Sequence, residues 1–179
     1  RQLDFANAER QRICDEIFSA AKEQIEREGM LSSSVIAVTD ESCRDGVSGI
    51  VASRLCEQFC RPAFVFCEIE GKLKGSGRSI EGVNIFDMLS GMSDLLEKFG
   101  GHSAAAGLTI KKENLAEFKR RAEEYLSGRI FPRIFSRKKG YDMDLTGVKP
   151  GKDFFEQLEL FEPCGMGNPR PRFLYRGCR

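Results

Sequence analysis

The sequence contains a single histidine, His102, and no pair of cysteines in a Cys-x-x-Cys arrangement. Zinc sites usually need closely spaced cysteine pairs, often with more than one histidine, so these absences argue against such a site. The seven cysteines are odd in number and irregularly spaced. This pattern favours free thiols in a reducing, cytoplasmic setting.

An excess of charge of one sign and long apolar runs are also missing. Lysine and arginine number 28 against 27 acidic residues, a net charge of +1, so only a local basic patch could attract nucleic acid. No apolar run approaches the ~20 residues that span a bilayer, and no membrane partner is predicted. The chain starts at Arg1 with neither an initiator methionine nor a signal-peptide pattern, so we expect an excised fragment.

Apolar periodicity is present and divides the first part of the chain into helices and strands. Helices are predicted over 3–28, 47–59, 84–99 and 115–125, and strands over 34–38, 63–67, 72–79 and 107–110. The strand–helix–strand order at the start indicates a parallel βαβ unit. We therefore expect an α/β fold with a mixed, largely parallel sheet flanked by helices.

The third predicted strand carries a glycine-rich basic segment, Lys74-Gly75-Ser76-Gly77-Arg78-Ser79. Glycine lets a ligand approach the backbone, and the two hydroxyls and the guanidinium offer neutral and charged donors to phosphate oxygens. The segment is not a Walker loop, because no lysine follows the glycines at the required spacing. The alternative is an edge strand weakened by its glycines, with solvated lysines.

The histidine lies in a run of small residues, Gly100-Gly101-His102-Ser103-Ala104-Ala105-Ala106-Gly107. Few bulky side chains are present there, so the backbone can approach another surface closely. We interpret the run as a tight turn that enters a buried strand and displays His102 at the mouth of that strand. The alternative is a packing site in which His102 is a satisfied polar residue.

The composition changes over residues 127–140, which hold five basic residues, no acidic residue, two phenylalanines and a proline. Basic residues interleaved with aromatics can bind single strands by charge and stacking, although a linker packed on the first domain is an equally good interpretation. Beyond it we predict strands over 141–145 and 172–176 and a short helix over 153–160.

Four stretches, in order along nearly the whole chain, resemble the RecJ exonucleases of the DHH phosphoesterase superfamily. They are Asp45–Leu55, Lys74–Ile80, Phe99–Gly107 and Glu162–Pro169. The third resembles the DHH-associated domain at large, whereas the fourth favours RecJ over its relatives. The resemblance implies a connecting helix at 1–30, a DHH-associated substrate-binding domain at 31–128, a basic linker at 129–140, and the truncated start of a β-rich OB-type domain at 141–179.

The resemblance also implies an activity for the complete protein, a metal-dependent, single-stranded-DNA-specific 5′→3′ exonuclease of DNA repair and recombination. The Asp-rich motifs and the Asp-His-His triplet of the family are absent from the sequence. Mn²⁺ or Mg²⁺ would therefore lie in an upstream DHH domain of the same chain, and we expect the fragment to bind no metal, to hold no catalytic residue and to be inactive alone. Its other partner would be single-stranded DNA.

The same resemblance assigns roles to individual residues. The substrate or its phosphate would be held by Ser76, Gly77, Arg78, Ser79, Gly100, Gly101 and His102, with His102 adjacent to the metal site. Further nucleic-acid contacts are expected from Lys74, Arg133, Arg137, Lys138 and Lys139. Two other interpretations stay open: a fragment of a DHH-family oligoribonuclease or cyclic-dinucleotide phosphodiesterase, and a non-catalytic nucleic-acid-binding module.

Overall fold

The computed structural model describes residues 2–43, 46–127 and 140–177, which fall into two compact units divided after Ser136. No helix among these residues is long and apolar enough to cross a membrane. The first unit holds nearly all the buried apolar side chains of the described chain.

The first unit is built on one five-stranded sheet. Its elements are α1 Gln2–Arg27, β1 Ile36–Asp40, α2 Ser48–Phe59, β2 Ala63–Ile69, β3 Lys72–Arg78, α3 Ile85–Ser90, β4 Leu96–His102, β5 Ala105–Lys111 and α4 Leu115–Ser127, with short 3₁₀ turns at Met30–Ser32, Ser93–Leu95 and Lys112–Asn114. The strand order is β1-β2-β3-β5-β4.

The predicted α/β fold is confirmed, and so is the parallel β1–α2–β2 unit. The expectation of a largely parallel sheet is wrong, because the other three strand pairings are antiparallel. The cause is local. Glu70 and Gly71 both have positive φ and close a two-residue hairpin between β2 and β3, and a second two-residue turn joins β4 to β5.

The two faces of the sheet are buried against different helices. Helices α1 and α2 cover one face, where Ile36, Val38 and Val65 join their apolar stripes. On the opposite face, the ring of Phe118 from α4 packs edge-on against Phe64 and Phe66, with centroid distances of 5.3 and 5.5 Å. We call the face that carries α1 and α2 the first face.

The helix predicted to run to Phe99 ends much earlier. As predicted, Asn84 caps it, accepting hydrogen bonds from the backbone of Phe86 and Asp87. Helix α3 then stops at Ser90, and residues 96–102 form strand β4. Leu96 and Phe99 meet a helical spacing, but they pack on the core from the strand, which explains the error.

The prediction of free thiols is wrong for two of the cysteines. Cys43 and Cys67 form a disulfide with a Cα–Cα distance of 5.1 Å, joining the segment after β1 to β2. Cys14, Cys56, Cys60 and Cys164 are free, and Cys14 and Cys56 are buried. The spacing of the cysteines gave no sign of this pairing, because the two lie 24 residues apart and meet only through the fold.

The second unit is small. It contains β6 Met143–Asp144, α5 Lys152–Leu158, a 3₁₀ turn at Glu159–Phe161 and β7 Phe173–Leu174, and β6 pairs with β7 in parallel. Phe154 of the helix packs against Phe173 at a centroid distance of 5.3 Å. The helix and both strands were predicted close to these positions, whereas the OB-type assignment stays a prediction.

Candidate nucleic-acid interface

Arg78 and His102 lie on the same face of the sheet. Both are register partners of Ala105, Arg78 from β3 and His102 from β4. Directly opposed residues in antiparallel strands point to the same side, so the two side chains flank Ala105 on the first face. Their Cα atoms are two strand spacings apart, about 10 Å.

The guanidinium of Arg78 lies against the beginning of α2. A Cβ on Gly49 would lie 2.7 Å from its Nη2, so a larger residue at this position would displace the guanidinium from the place it occupies. Its Nη1 donates to the carbonyl of Gly77 at 2.8 Å. In the described part of the chain this half-buried cation has no carboxylate partner, which leaves its charge available to an external anion.

Two serine hydroxyls lie close to each other on this side of the sheet, one on α2 and one on β3. Ser48, the first residue of α2, is buried, and its Oγ lies 2.9 Å from the Oγ of Ser76 on β3. Among residues 2–43, 46–127 and 140–177, no side chain caps α2, so its first N–H groups add to the positive potential beside Arg78. The arrangement combines a guanidinium, two hydroxyls and a helix N-terminus, all of which attract phosphate.

The imidazole of His102 is exposed at the turn between β4 and β5. Its Nδ1 accepts a hydrogen bond from the backbone N–H of Ala104 at 3.3 Å. In the neutral ring the proton therefore belongs on Nε2, which can donate to a ligand.

The glycines of β3 serve the core. A Cβ on Gly77 would lie 2.3 Å from the ring of Phe64, and one on Gly75 would lie 2.6 Å from the ring of Phe66. These glycines give room to aromatic rings on the far face, not to a ligand. Gly77 was predicted to contact phosphate, and its observed part in the site is the carbonyl that accepts from Arg78.

Ser79 also has an internal role. Its hydroxyl donates to the carbonyl of Val83 at 2.7 Å, and its backbone N–H donates to the carbonyl of Ala104 at 2.9 Å. The residue ties the end of β3 to the β4–β5 turn, so its single hydroxyl proton is already used. Of the two predicted serines, Ser76 has the better position to meet a phosphate.

The fold requires glycine at position 101 but not at position 100. Gly101 has φ +143°, and a Cβ there would lie 2.3 Å from the carbonyl oxygen of Ala105, so the fold itself needs glycine. Gly100 has nothing within 4 Å of an added Cβ. Gly107, its register partner on β5, would meet only a carbonyl oxygen at 4.0 Å. Where Gly107 and Gly100 face each other, the surface of β5 and β4 is therefore bare backbone.

The remaining predicted contacts divide into two groups. Lys74 is exposed on the same face as Arg78, four residues along β3. The other four, Arg133, Arg137, Lys138 and Lys139, lie outside the described residues. Ser48 and Gly49 were not predicted as site residues, although they follow Gly46 at the start of a helical stripe within a βαβ unit, where a helix N-terminus can bind an anion.

The residues that the structure describes do not fit a metal ion. They contain no cluster of three or more histidine, cysteine, aspartate or glutamate side chains that could hold one.

This fold and these motifs define a DHHA1 domain. The DHHA1 domain family matches residues 32–128, more than half of the chain, and the chain belongs to this family. It is 36% identical over 176 residues to the single-stranded-DNA-specific exonuclease RecJ of Bacillus subtilis, covering 97% of this chain and 22% of that protein.

A sequence comparison and a structure comparison with RecJ of Thermus thermophilus give the same result. The chain is 33% identical over 177 residues to the RecJ of that organism, covering 98% of this chain and 25% of the relative. The crystal structure of that RecJ with Mn²⁺ matches with a TM-score of 0.78 at 31% identity, over 97% of this chain and 25% of that chain. The chain thus spans about a quarter of the relatives it resembles, and the resemblance to RecJ is confirmed.

Proposed function

We propose that this chain is the substrate-positioning portion of a RecJ-like, single-strand-specific 5′→3′ exonuclease. The observation that carries the proposal is the placement of Arg78 and His102 on either side of Ala105, on the first face, beside Ser48 and Ser76 and next to exposed residues of β4 and β5. Arg78 and Ser76, with the start of α2, hold the terminal phosphate of a single strand. His102 donates from Nε2 to the adjoining nucleotide.

Positioning is the contribution of these residues to catalysis. A strand held at its end presents a defined phosphodiester to the hydrolytic groups, which converts a loose encounter into an oriented one. RecJ of Thermus thermophilus has been crystallised with Mn²⁺ and with Mg²⁺. In the complete protein, such a metal and its ligands would belong to a DHH domain outside these 179 residues. Similarity to RecJ over nearly all of the chain supports this assignment of positioning to the chain and of metal binding to the DHH domain.

The decisive test removes the guanidinium from the complete enzyme. Arg78→Ala should lower kcat/KM on single-stranded DNA about 100-fold, the loss expected for a charged donor in a desolvated site. Arg78→Lys should recover only part of it, because lysine keeps the charge without the bidentate fork. The control is Lys112→Ala, since Lys112 pairs with Glu68 and that carboxylate lies on the other face. Equal losses for Arg78→Ala and Lys112→Ala would contradict the proposal.

A second test uses the purified 179-residue chain. With Mn²⁺ it should not degrade DNA, and it should bind single-stranded DNA weakly and in a salt-sensitive manner. Gel analysis of a labelled oligonucleotide and fluorescence anisotropy measure the two properties. Degradation by the purified chain would overturn the assignment of hydrolysis to another domain.

A further inference from the structure

A second row of donors lies on the first face, beyond the bare glycines. Lys74 of β3 and Lys98 of β4 are both register partners of Thr109 on β5, so all three side chains point to the same side as Arg78 and His102. Between the two rows, Ser76, Gly107 and Gly100 form one continuous register line. The rows lie four residues apart along the strands, about 13 Å.

The second row contains two lysines and no acidic residue. Lys98 and Lys74 are exposed, and Thr109 between them is half-buried. In the described part of the chain Lys98 has no carboxylate partner. The one glutamate of β4, Glu97, bonds Lys72 at 2.6 Å, so its charge is neutralised at the end of the sheet farthest from Arg78.

We infer that Lys98, with Thr109 beside it, forms a second backbone-phosphate subsite for single-stranded nucleic acid, separate from the terminal-phosphate site at Arg78. This inference rests on the proposed function and extends it. A strand whose end is held at Arg78 crosses the bare surface of Gly107 and Gly100 and brings an internal phosphate over Lys98. Charge complementarity selects the occupant, because a polyanion is the partner that matches cations spaced along one face.

The spacing of the rows gives the subsite a length requirement. A dinucleotide held at Arg78 is too short for its backbone to reach the second row, whereas a longer strand crosses the gap within a few nucleotides. Lys98 should therefore contribute nothing to the binding of the short ligand. This dependence on length separates a subsite from a general effect of surface charge.

The experiment measures binding of 5′-phosphorylated oligothymidylates to the whole chain by anisotropy, with a dinucleotide and a decanucleotide as probes. Lys98→Ala should weaken decanucleotide binding about 3- to 10-fold and leave dinucleotide binding unchanged. It should also reduce the slope of log affinity against log salt by about 0.7, the value for one phosphate contact on a single strand. Lys112→Ala is the matched control, and Arg78→Ala should weaken both probes.

The outcomes distinguish failure of the second subsite at Lys98 from failure of the proposed terminal-phosphate site at Arg78. Equal effects of Lys98→Ala and Lys112→Ala on the decanucleotide, or an equal loss of both probes in Lys98→Ala, would overturn the second subsite while Arg78→Ala still tests the first. Failure of the unsubstituted chain to bind the decanucleotide would overturn both. Amide shifts of Lys98 and Thr109 in NMR spectra, seen with the decanucleotide and not with the dinucleotide, would support the subsite in a folded protein.

Discussion

Gly77 and Gly100 belong to one sheet, yet different constraints act on them. At Gly77 the Phe64 ring occupies the space where a side chain would stand, so the core requires glycine. At Gly100 the space is open, so the fold does not require it. An effect of substitution at Gly100 therefore reports on a ligand, whereas an effect at Gly77 reports on packing.

Alanine substitution should separate these constraints. Gly77→Ala forces the Phe64 ring to move and should lower the free energy of unfolding by about 1–3 kcal/mol. Gly100→Ala should leave that free energy within about 0.5 kcal/mol and weaken DNA binding. Urea unfolding followed by circular dichroism measures stability, and anisotropy measures binding. A stable Gly77→Ala variant would refute the packing role given to that glycine.

At the scale of single elements, helix α4 fixes the start of β1 from across the chain. The carboxylate of Glu123 accepts the backbone N–H of Ser34 through both oxygens, at 2.8 and 2.7 Å, and that of Val35 at 3.3 Å. These donors precede the first residue of β1 and would otherwise be left without a partner at the edge of the core. A single side chain thus satisfies two backbone groups.

Removing the carboxylate of Glu123 should lower the free energy of unfolding more than removing that of Glu124. Glu123→Ala should lower the free energy of unfolding by about 1.5 kcal/mol or more, the range for hydrogen bonds to a charged acceptor. Glu124→Ala in the same helix removes an exposed ion pair with Arg120 and should cost less than about 0.5 kcal/mol. Hydrogen exchange at Ser34 and Val35 provides a local readout. Comparable losses in the two variants would show that the hydrogen bonds do not stabilise β1.

Elements specified by nearby residues could be predicted from the sequence, and elements specified by distant ones could not. Gly71 suits the positive φ of the hairpin between β2 and β3, and the βαβ unit follows from two apolar runs around one helical stripe. Strand β4 was mistaken for helix because Leu96 and Phe99 are three residues apart, which is a helical spacing. They share one face of the strand only because the register shifts between Leu96 and Lys98, and only the pairing with β5 reveals this bulge. The chemistry of Arg78 and His102 could be proposed from their types and surroundings, but their alignment on Ala105 depends on strand order.

At the scale of the whole molecule, burial of Cys56 links stability to pH. Burial, followed by the nearby charges of Glu57 and Cys60, raises the pKa of the Cys56 thiol from 9.0 to about 11. The folded protein therefore keeps this proton in a range where the unfolded chain releases it. The contribution of the protonated Cys56 thiol to the free energy of unfolding is complete below about pH 9 and is lost as the pH rises through about 11.

The prediction is a difference between two pH profiles. At about pH 10 the unsubstituted protein should have lost about 1 kcal/mol of stability through this group, a loss that Cys56→Ala should not show. Unfolding midpoints in urea, measured for both proteins from about pH 8 to pH 10, give the comparison, because other groups titrate equally in each. Parallel profiles would mean that the thiol ionises as easily in the folded protein as in the unfolded chain.

The position of Ala105 has a consequence for engineering and for divergence among relatives. The Cα atoms of Arg78 and His102 lie two inter-strand spacings apart, a distance set by the hydrogen bonding of the backbone and not by any side chain. Substitution of either residue can alter which ligand atoms are recognised, but it leaves the distance between the two Cα atoms unchanged. Only a change in strand pairing, such as an inserted residue that bulges the middle strand, would alter that distance, so substitutions that keep the sheet register leave both attachment points in place.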